Sequence, residues 1–272
     1  MLLWSLRSID GVLIHKLYIF VPDIQAQLIS ETLSSLLSAL PFRSQVLSES
    51  VLFSSTVDLR TIYPYAIQMA VKLLVSEVID TPFYLTLDAD VLLLNPFVYS
   101  DIFHEKVGSG PLAIYENENR NFHPDWWQGS ENVLDCQSNY LHNEKGFSVT
   151  PALLSTFGSR LVLAQLRQRY GTRGYQSYWL SSFGKSTTWS EYTLYRITLD
   201  HFGIFDLLHV SDMEIGLTRL HCNDVWYIDQ LPWSPLNAVP GTTKWKCIFS
   251  VVQSSTGVSP STIHKAMTIY NY

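Results

Sequence analysis

The chain has 272 residues, 47% of them hydrophobic and only 15% charged, with a net charge of −6. That composition supports a large buried core and excludes a disordered chain. The acidic balance, with basic residues scattered rather than clustered, excludes a phosphate-reading face for nucleic acid.

In chain order, Leu2–Ile9 has apolar residues at helical spacing, and Leu17–Val21 reads as a buried strand stopped by Pro22-Asp23. Ile24–Ala39 is expected to be a helix ended by Pro41, and Val46–Phe53 a short strand. Tyr63–Ile79 places Ala66, Met69, Ala70, Leu73 and Leu74 at helical intervals. It leads into the apolar run Pro82–Leu94, which is interrupted by Asp88-Ala89-Asp90. Helix, strand, helix, strand, helix, strand implies parallel strands with crossover helices, an α/β fold. The Met1–Phe20 stretch is broken by Arg7, Asp10, His15 and Lys16, so neither a signal peptide nor a membrane anchor is expected. Cys136, Cys222 and Cys247 are widely spaced, and the absence of metal-type spacing suggests free thiols in a reducing compartment. The expectation is a soluble, cytoplasmic protein.

Beyond Phe97, Leu112–Tyr115 reads as a short strand and 116–137 as a polar, aromatic loop around His123-Pro124-Asp125-Trp126-Trp127. Such a loop suits a lid or a substrate platform, or a surface loop pinned by buried tryptophan. Leu153–Tyr170 reads as an amphipathic helix with Arg160, Arg167 and Arg169 on a solvated face. Ser190-Glu191 opens another helix, placing Glu191 at the positive end of its dipole. Ile204–Val210 reads as a strand carrying His209, Ile248–Gly257 as a strand and small-residue turn, and Ser259–Met267 as a helix carrying His264.

Two carboxylates inside an apolar run are costly to bury unless something pairs with them. Along an extended chain Asp88 and Asp90 fall on one side, offering hard oxygen ligands to Mn²⁺ or Mg²⁺. An apolar strand ending in Asp-X-Asp, followed by an apolar run and Asn95-Pro96-Phe97, resembles the signature of GT-A glycosyltransferases. The resemblance covers roughly Leu2 to Val210 and is tight only at the Asp88 strand. It implies a GT-A-like, Rossmann-like fold with a mixed, mostly parallel sheet and helices on both faces. The whole of 1–272 would be one catalytic domain, with 1–100 as the nucleotide- and metal-binding half. The remainder, 101–272, would bind the acceptor and close the site. Glycosyltransferases of this kind start with a nucleotide-binding strand, whereas Leu2–Leu6 of this chain is expected to correspond to the helix that follows it.

The resemblance further implies that Asp88 and Asp90 hold a divalent metal on the diphosphate of a UDP-sugar, with His209 as third ligand and His264 as its competitor. Gln68 and Lys72 share a helix face that would reach the donor, Lys72 near phosphate. The segment Asn143-Glu144-Lys145-Gly146-Phe147 resembles one that passes beneath the donor sugar, with Asn143 bonding its hydroxyls and Gly146 allowing close approach. Glu191 would be the base of an inverting transfer to a glycan or glycoprotein hydroxyl. The chain is similar to small soluble sugar transferases of bacteria and large DNA viruses, a viral xylosyltransferase using UDP-xylose among them. A viral enzyme of this kind would work in the host cytoplasm. Two alternatives stay open: a catalytically degenerate glycan-binding protein, and a haloacid-dehalogenase-type phosphohydrolase. The second places its Asp-X-Asp nearer the N-terminus and follows it with Thr or Val where this chain has Leu92.

Overall fold

The computed structural model describes residues 2–108, 110–137, 146–184, 188–215, 218–222, 224–227 and 246–269. The first half carries α1 (Leu2–Ser5), β1 (Lys16–Val21), α2 (Ala26–Ser38), β2 (Arg43–Ser48), α3 (Pro64–Leu74), β3 (Phe83–Thr86), β4 (Val91–Leu93), α4 (Tyr99–Ile102), β5 (Phe103–Lys106), β6 (Gly110–Tyr115) and α5 (Pro124–Leu134). The second carries β7 (Ala152–Ser155), α6 (Thr156–Tyr170), α7 (Tyr175–Ser182), α8 (Glu191–His201), α9 (Phe205–Leu208), β8 (His209–Ser211), α10 (Asp212–Ile215), β9 (Thr218–His221), β10 (Lys246–Val251) and α11 (Pro260–Ile269). The fold is mixed α/β. Among the described residues no helix is long and apolar enough to cross a membrane.

Among those residues the strands form four small sheets, β1–β2, β4–β10–β9, β3–β7 and β5–β6–β8. β1 and β2 run parallel, joined by the α2 crossover that such a pair requires. The β9–β10 and β6–β8 pairs are also parallel, whereas β4–β10, β3–β7 and β5–β6 are antiparallel. The expected mostly parallel sheet is therefore an even mix. The cause lies at the acid pair: the apolar run breaks into β3 and β4, and each half takes a different partner.

Three local assignments also change. The expected loop 116–137 contains α5, opened by Pro124 and burying Trp127, Ser130, Val133 and Leu134 on one side. The expected helix from Leu153 begins only at Thr156. Leu153 and Leu154 belong to β7, and Ser155 caps the helix by accepting from the Gly158 amide at 3.3 Å. The expected strand 204–210 is a turn of helix, α9, followed by β8. Arg160 is exposed as expected, and it also donates to the carbonyls of Ser76 and Ile79 beyond the end of α3.

The larger apolar cluster packs α3, α5, α6, α7 and α8 around Trp179, Trp189, Tyr195 and Phe205. A second fills the space between α1 and the β4–β10–β9 sheet. Gly158 sits in the first cluster, where an added Cβ would lie 2.8 Å from the Tyr195 ring. Tyr195 cannot retreat, because its hydroxyl accepts from the Ser155 amide at 2.8 Å and bonds His209 Nε2 at 2.7 Å. Gly158→Ala is therefore expected to destabilise by about 1–3 kcal/mol, opposite in sign to the usual gain at a helical glycine. Urea denaturation checks this, and a more stable variant would contradict the packing described.

Candidate active site

Helix α3 starts at Pro64 and turns Ala66, Ile67, Met69, Ala70, Leu73 and Leu74 into the core. The stripe left over carries Gln68 and Lys72, one turn apart, toward the end of β3. Gln68 Nε2 donates to Asp88 Oδ1 at 2.9 Å, and Lys72 Nζ lies 2.8 Å from the same oxygen. Lys72 Nζ is also 2.8 Å from Glu191 Oε1 and donates to the Tyr192 hydroxyl at 3.3 Å. Glu191 is the first residue of α8, and the Ser190 hydroxyl caps that helix through the Tyr192 amide. Four residues from three distant parts of the sequence thus meet at one point. Burial works against the Lys72 charge, but Glu191, Tyr192 and Asp88 outweigh it and hold the ammonium well above its ordinary pKa.

The two aspartates do not lie in one extended strand. The chain turns after β3, with the Val91 amide donating to the Asp88 carbonyl at 3.1 Å, so strand alternation does not govern them. The Asp88 amide is held by Thr150 Oγ1 at 3.1 Å. Asp90 faces the end of β10, where Oδ2 accepts from the Ser254 amide at 3.3 Å and its carbonyl accepts from Val252 at 3.1 Å. Burial raises the Asp90 pKa; the Ser254 amide opposes this and the nearby Asp88 charge adds to it. Two carboxylates close enough to repel suit a hard divalent cation, so Asp88 and Asp90 fit that role by charge and donor type. Asp88 Oδ1 is already shared by Gln68 and Lys72, which leaves Oδ2 for such an ion.

The complete chain, residues 1–272, matches a family of unknown function, DUF6492. The protein belongs to that family. No curated protein matches it. The family match spans all four residues of the cluster and Asp90.

His209 is not brought to this site. It is 2% exposed, bonds Tyr195, and sits among the rings of Phe83, Tyr115, Phe147 and Phe205. Phe83 is at the end of β3 away from Asp88, and the strand to Thr86 alone spans about 10 Å. Burial, reinforced by the Arg196 charge, drives the His209 pKa down to about 3, so the ring is neutral. The histidine expected as third ligand is thus a core residue whose Nε2 is engaged by a tyrosine. Among the described residues no three His, Cys, Asp or Glu side chains converge as a metal site. His264 is exposed on α11, and Asn143 lies outside the described residues. Gly146 is described, and its backbone comes so close to Glu118 that an added Cβ would meet the Glu118 carbonyl oxygen at 2.1 Å.

Glu191, expected as the base, is placed beside Lys72. It is 2% exposed; Oε1 faces Lys72, and Oε2 accepts from the Ser190 hydroxyl at 3.3 Å. Both of its oxygens are thus engaged by the protein's own groups. Lys72, expected near phosphate, is neutralised by two carboxylates.

A second polar cluster escaped the sequence reading. His221, at the end of β9, bonds Asp224 through Nδ1 and Ser148 Oγ through Nε2 at 3.1 Å; Glu116 Oε2 lies 3.4 Å from that same Nε2. Asp224 Oδ1 in turn accepts from the Val251 amide at 2.7 Å. Ser148, His221 and Asp224 have the connectivity of a nucleophile relay. Burial opposes the imidazolium, but the Asp224 hydrogen bond and the Glu116, Asp224 and Glu118 charges raise its pKa to about 9. The same carboxylates that favour the ring's proton oppose its acting as a base toward Ser148, and Glu116 shares the Nε2 position with Ser148. The cluster's signals were Glu116-X-Glu118 directly after a strand and His221-X-X-Asp224, both too short to stand out alone.

Cys222 and Cys247 form a disulfide, with Cα atoms 5.9 Å apart. The expectation of free thiols is corrected for this pair and holds for the half-buried Cys136. The Cα-to-Cα reach of a disulfide depends on the parallel β9–β10 pairing, which sequence spacing does not disclose.

The His221 cluster makes stability depend on pH. A folded pKa of about 9 against an ordinary 6.5 means the stabilisation is complete below 6.5 and is lost as pH rises through about 9. The shift corresponds to about 3 kcal/mol. Denaturant unfolding of wild type and His221→Gln from pH 6 to 9.5 is expected to show a difference that shrinks with rising pH. A gap constant across that range would place the imidazole charge elsewhere.

Proposed function

We propose that the protein is a metal-dependent glycosyltransferase, moving a sugar from a nucleotide donor, UDP by preference, to a hydroxyl of a glycan or glycoprotein. The observation that supports this reading is the contact of Gln68 and Lys72 with Asp88, with Glu191 on the other side of Lys72 and Asp90 two residues on in the same turn. The reading includes a GT-A-like scaffold. A divalent ion held by Asp88 and Asp90 would supply positive charge to the departing diphosphate.

The chain's own residues set up that site. Thr150 and Gln68 fix Asp88, and the end of β10 fixes Asp90. Lys72 offsets the local negative charge, and Glu191 anchors Lys72 from the start of α8. A carboxylate pair fixed from two sides gives preorganised electrostatics, which cost no rearrangement when charge develops.

A second reading, glycan binding without metal-dependent transfer, draws on Lys72, whose ammonium already contacts the Asp88 oxygen that a cation would seek. Both readings are separated by melting the protein with UDP, UDP-xylose and other nucleotide sugars, each with Mn²⁺ and with EDTA. A ligand at a hundred times its dissociation constant adds about 2.7 kcal/mol, a rise of roughly 5 °C or more for a chain of this size. A Mn²⁺-dependent rise with one donor, followed by sugar turnover, is the expected result. A rise indifferent to Mn²⁺, or none with any nucleotide, would overturn the transferase reading.

A further inference from the structure

Glu116 and Glu118 follow the end of β6 two residues apart, close enough for the Glu116 charge to act on Glu118. The segment 146–150 runs alongside. The Ser148 amide donates to the Glu116 carbonyl at 3.0 Å and the Gly146 amide to Asn117 Oδ1 at 3.1 Å. Two residues further, Thr150 holds the Asp88 amide. The buried segment 146–150 is therefore hydrogen-bonded at one end to the Glu116–Asn117 stretch and at the other to the Asp88 turn.

The two glutamates differ. The Glu116 carboxylate is committed to His221. No hydrogen bond from a described residue reaches the Glu118 carboxylate, whose side chain is 27% exposed. His123 Nε2 is 3.9 Å away, too far for a hydrogen bond, and burial lowers the pKa of that imidazole. Burial pushes the Glu118 carboxyl up to about 7, with the His221 charge opposing and the Glu116 charge adding to it. The His123 ring stacks on Trp126 with centroids 4.0 Å apart and planes at 18°, and both rings are partly exposed.

An aromatic face beside an unsatisfied carboxylate is the chemistry that recognises a ring carrying hydroxyl groups. Its C–H face packs on the aromatic ring and its hydroxyls donate to the carboxylate. The negative surroundings disfavour a phosphate or carboxylated ligand, and a single uncommitted carboxylate is too few for a metal ion. We propose that Glu118, with the His123–Trp126 stack, forms a binding site for a neutral sugar ring, and that during transfer Glu118 takes the proton of the attacking hydroxyl. The hydroxyl oxygen bonds the donor's anomeric carbon, and its proton passes to a Glu118 oxygen. The anomeric C–O bond to the diphosphate breaks, its electron pair leaving on the diphosphate. The sugar site stands by itself; the proton step rests on the transferase reading.

The test uses the full chain and p-nitrophenyl xyloside, glucoside and galactoside as probes, read by saturation-transfer NMR. At least one glycoside is expected to bind wild type, and Trp126→Ala to weaken it tenfold or more while Mn²⁺–UDP affinity stays unchanged. With a UDP-sugar donor, the near-isosteric Glu118→Gln is expected to keep the glycoside KM within a few-fold and to lower kcat at least about 100-fold. Glycoside binding indifferent to Trp126→Ala, or a Glu118→Gln kcat near wild type, overturns the proposal. Wild type that binds UDP with Mn²⁺ but no glycoside overturns the sugar site and leaves the transferase reading standing. Glycoside binding lost in Trp126→Ala by a protein that binds no nucleotide supports the sugar site and removes the transfer step.

Discussion

Lys72→Met is expected to cost about 3–5 kcal/mol of folding stability, because it strands a buried charge. Glu191 is 2% exposed and Lys72 is its one ion-pair partner among the described residues. Methionine follows the stem of lysine closely enough to keep the packing against Tyr192, so the loss is electrostatic rather than a cavity. Adding Glu191→Gln removes the stranded charge, and the double variant is expected to recover much of the loss. Urea unfolding of the four proteins gives the coupling energy directly. A single-variant cost below about 1 kcal/mol would mean that Glu191 is neutralised by something other than Lys72.

Asp90→Asn is expected to abolish Mn²⁺-dependent nucleotide binding while leaving the fold as stable as wild type or more so. Asparagine keeps an oxygen for the Ser254 amide. It also removes a carboxylate whose charge is disfavoured first by burial and further by Asp88. An acid with a raised folded pKa stabilises the fold at low pH and weakens it as pH rises past that value. The asparagine variant should therefore gain relative to wild type toward neutral pH. Calorimetric titration of UDP, with Mn²⁺ and with EDTA, reads the binding. Equal Mn²⁺-dependent affinity in wild type and Asp90→Asn would remove Asp90 from any metal site. A loss of binding together with a large loss of stability would show a structural carboxylate instead.

These two outcomes are linked by position. Lys72 sits on Asp88 from the helix side, while Asp90 hangs from the end of β10. The turn between the two aspartates is thus pinned by separate parts of the fold. Lys72→Met probes the cation that the protein supplies itself, and Asp90→Asn the cation that it would recruit.

The sequence by itself determined the pieces whose cause is local. Apolar spacing marked α3 and put Gln68 and Lys72 on one stripe, Ser190 marked the start of α8 at Glu191, and the apolar run marked Asp88 as the end of a strand. Periodicity and capping act within a turn or two, so a short window of residues is enough to read them. The tertiary structure alone decided what those pieces face. It placed Lys72 between Asp88 and Glu191, buried Glu191 against Lys72, and sealed His209 among aromatic rings. It also joined Cys222 to Cys247 and gathered Glu116, Ser148, His221 and Asp224 into one cluster. Each of these depends on which strand lies beside which and on how much water reaches the side chain. Local pattern does not carry either quantity, because packing between residues far apart in the chain sets both.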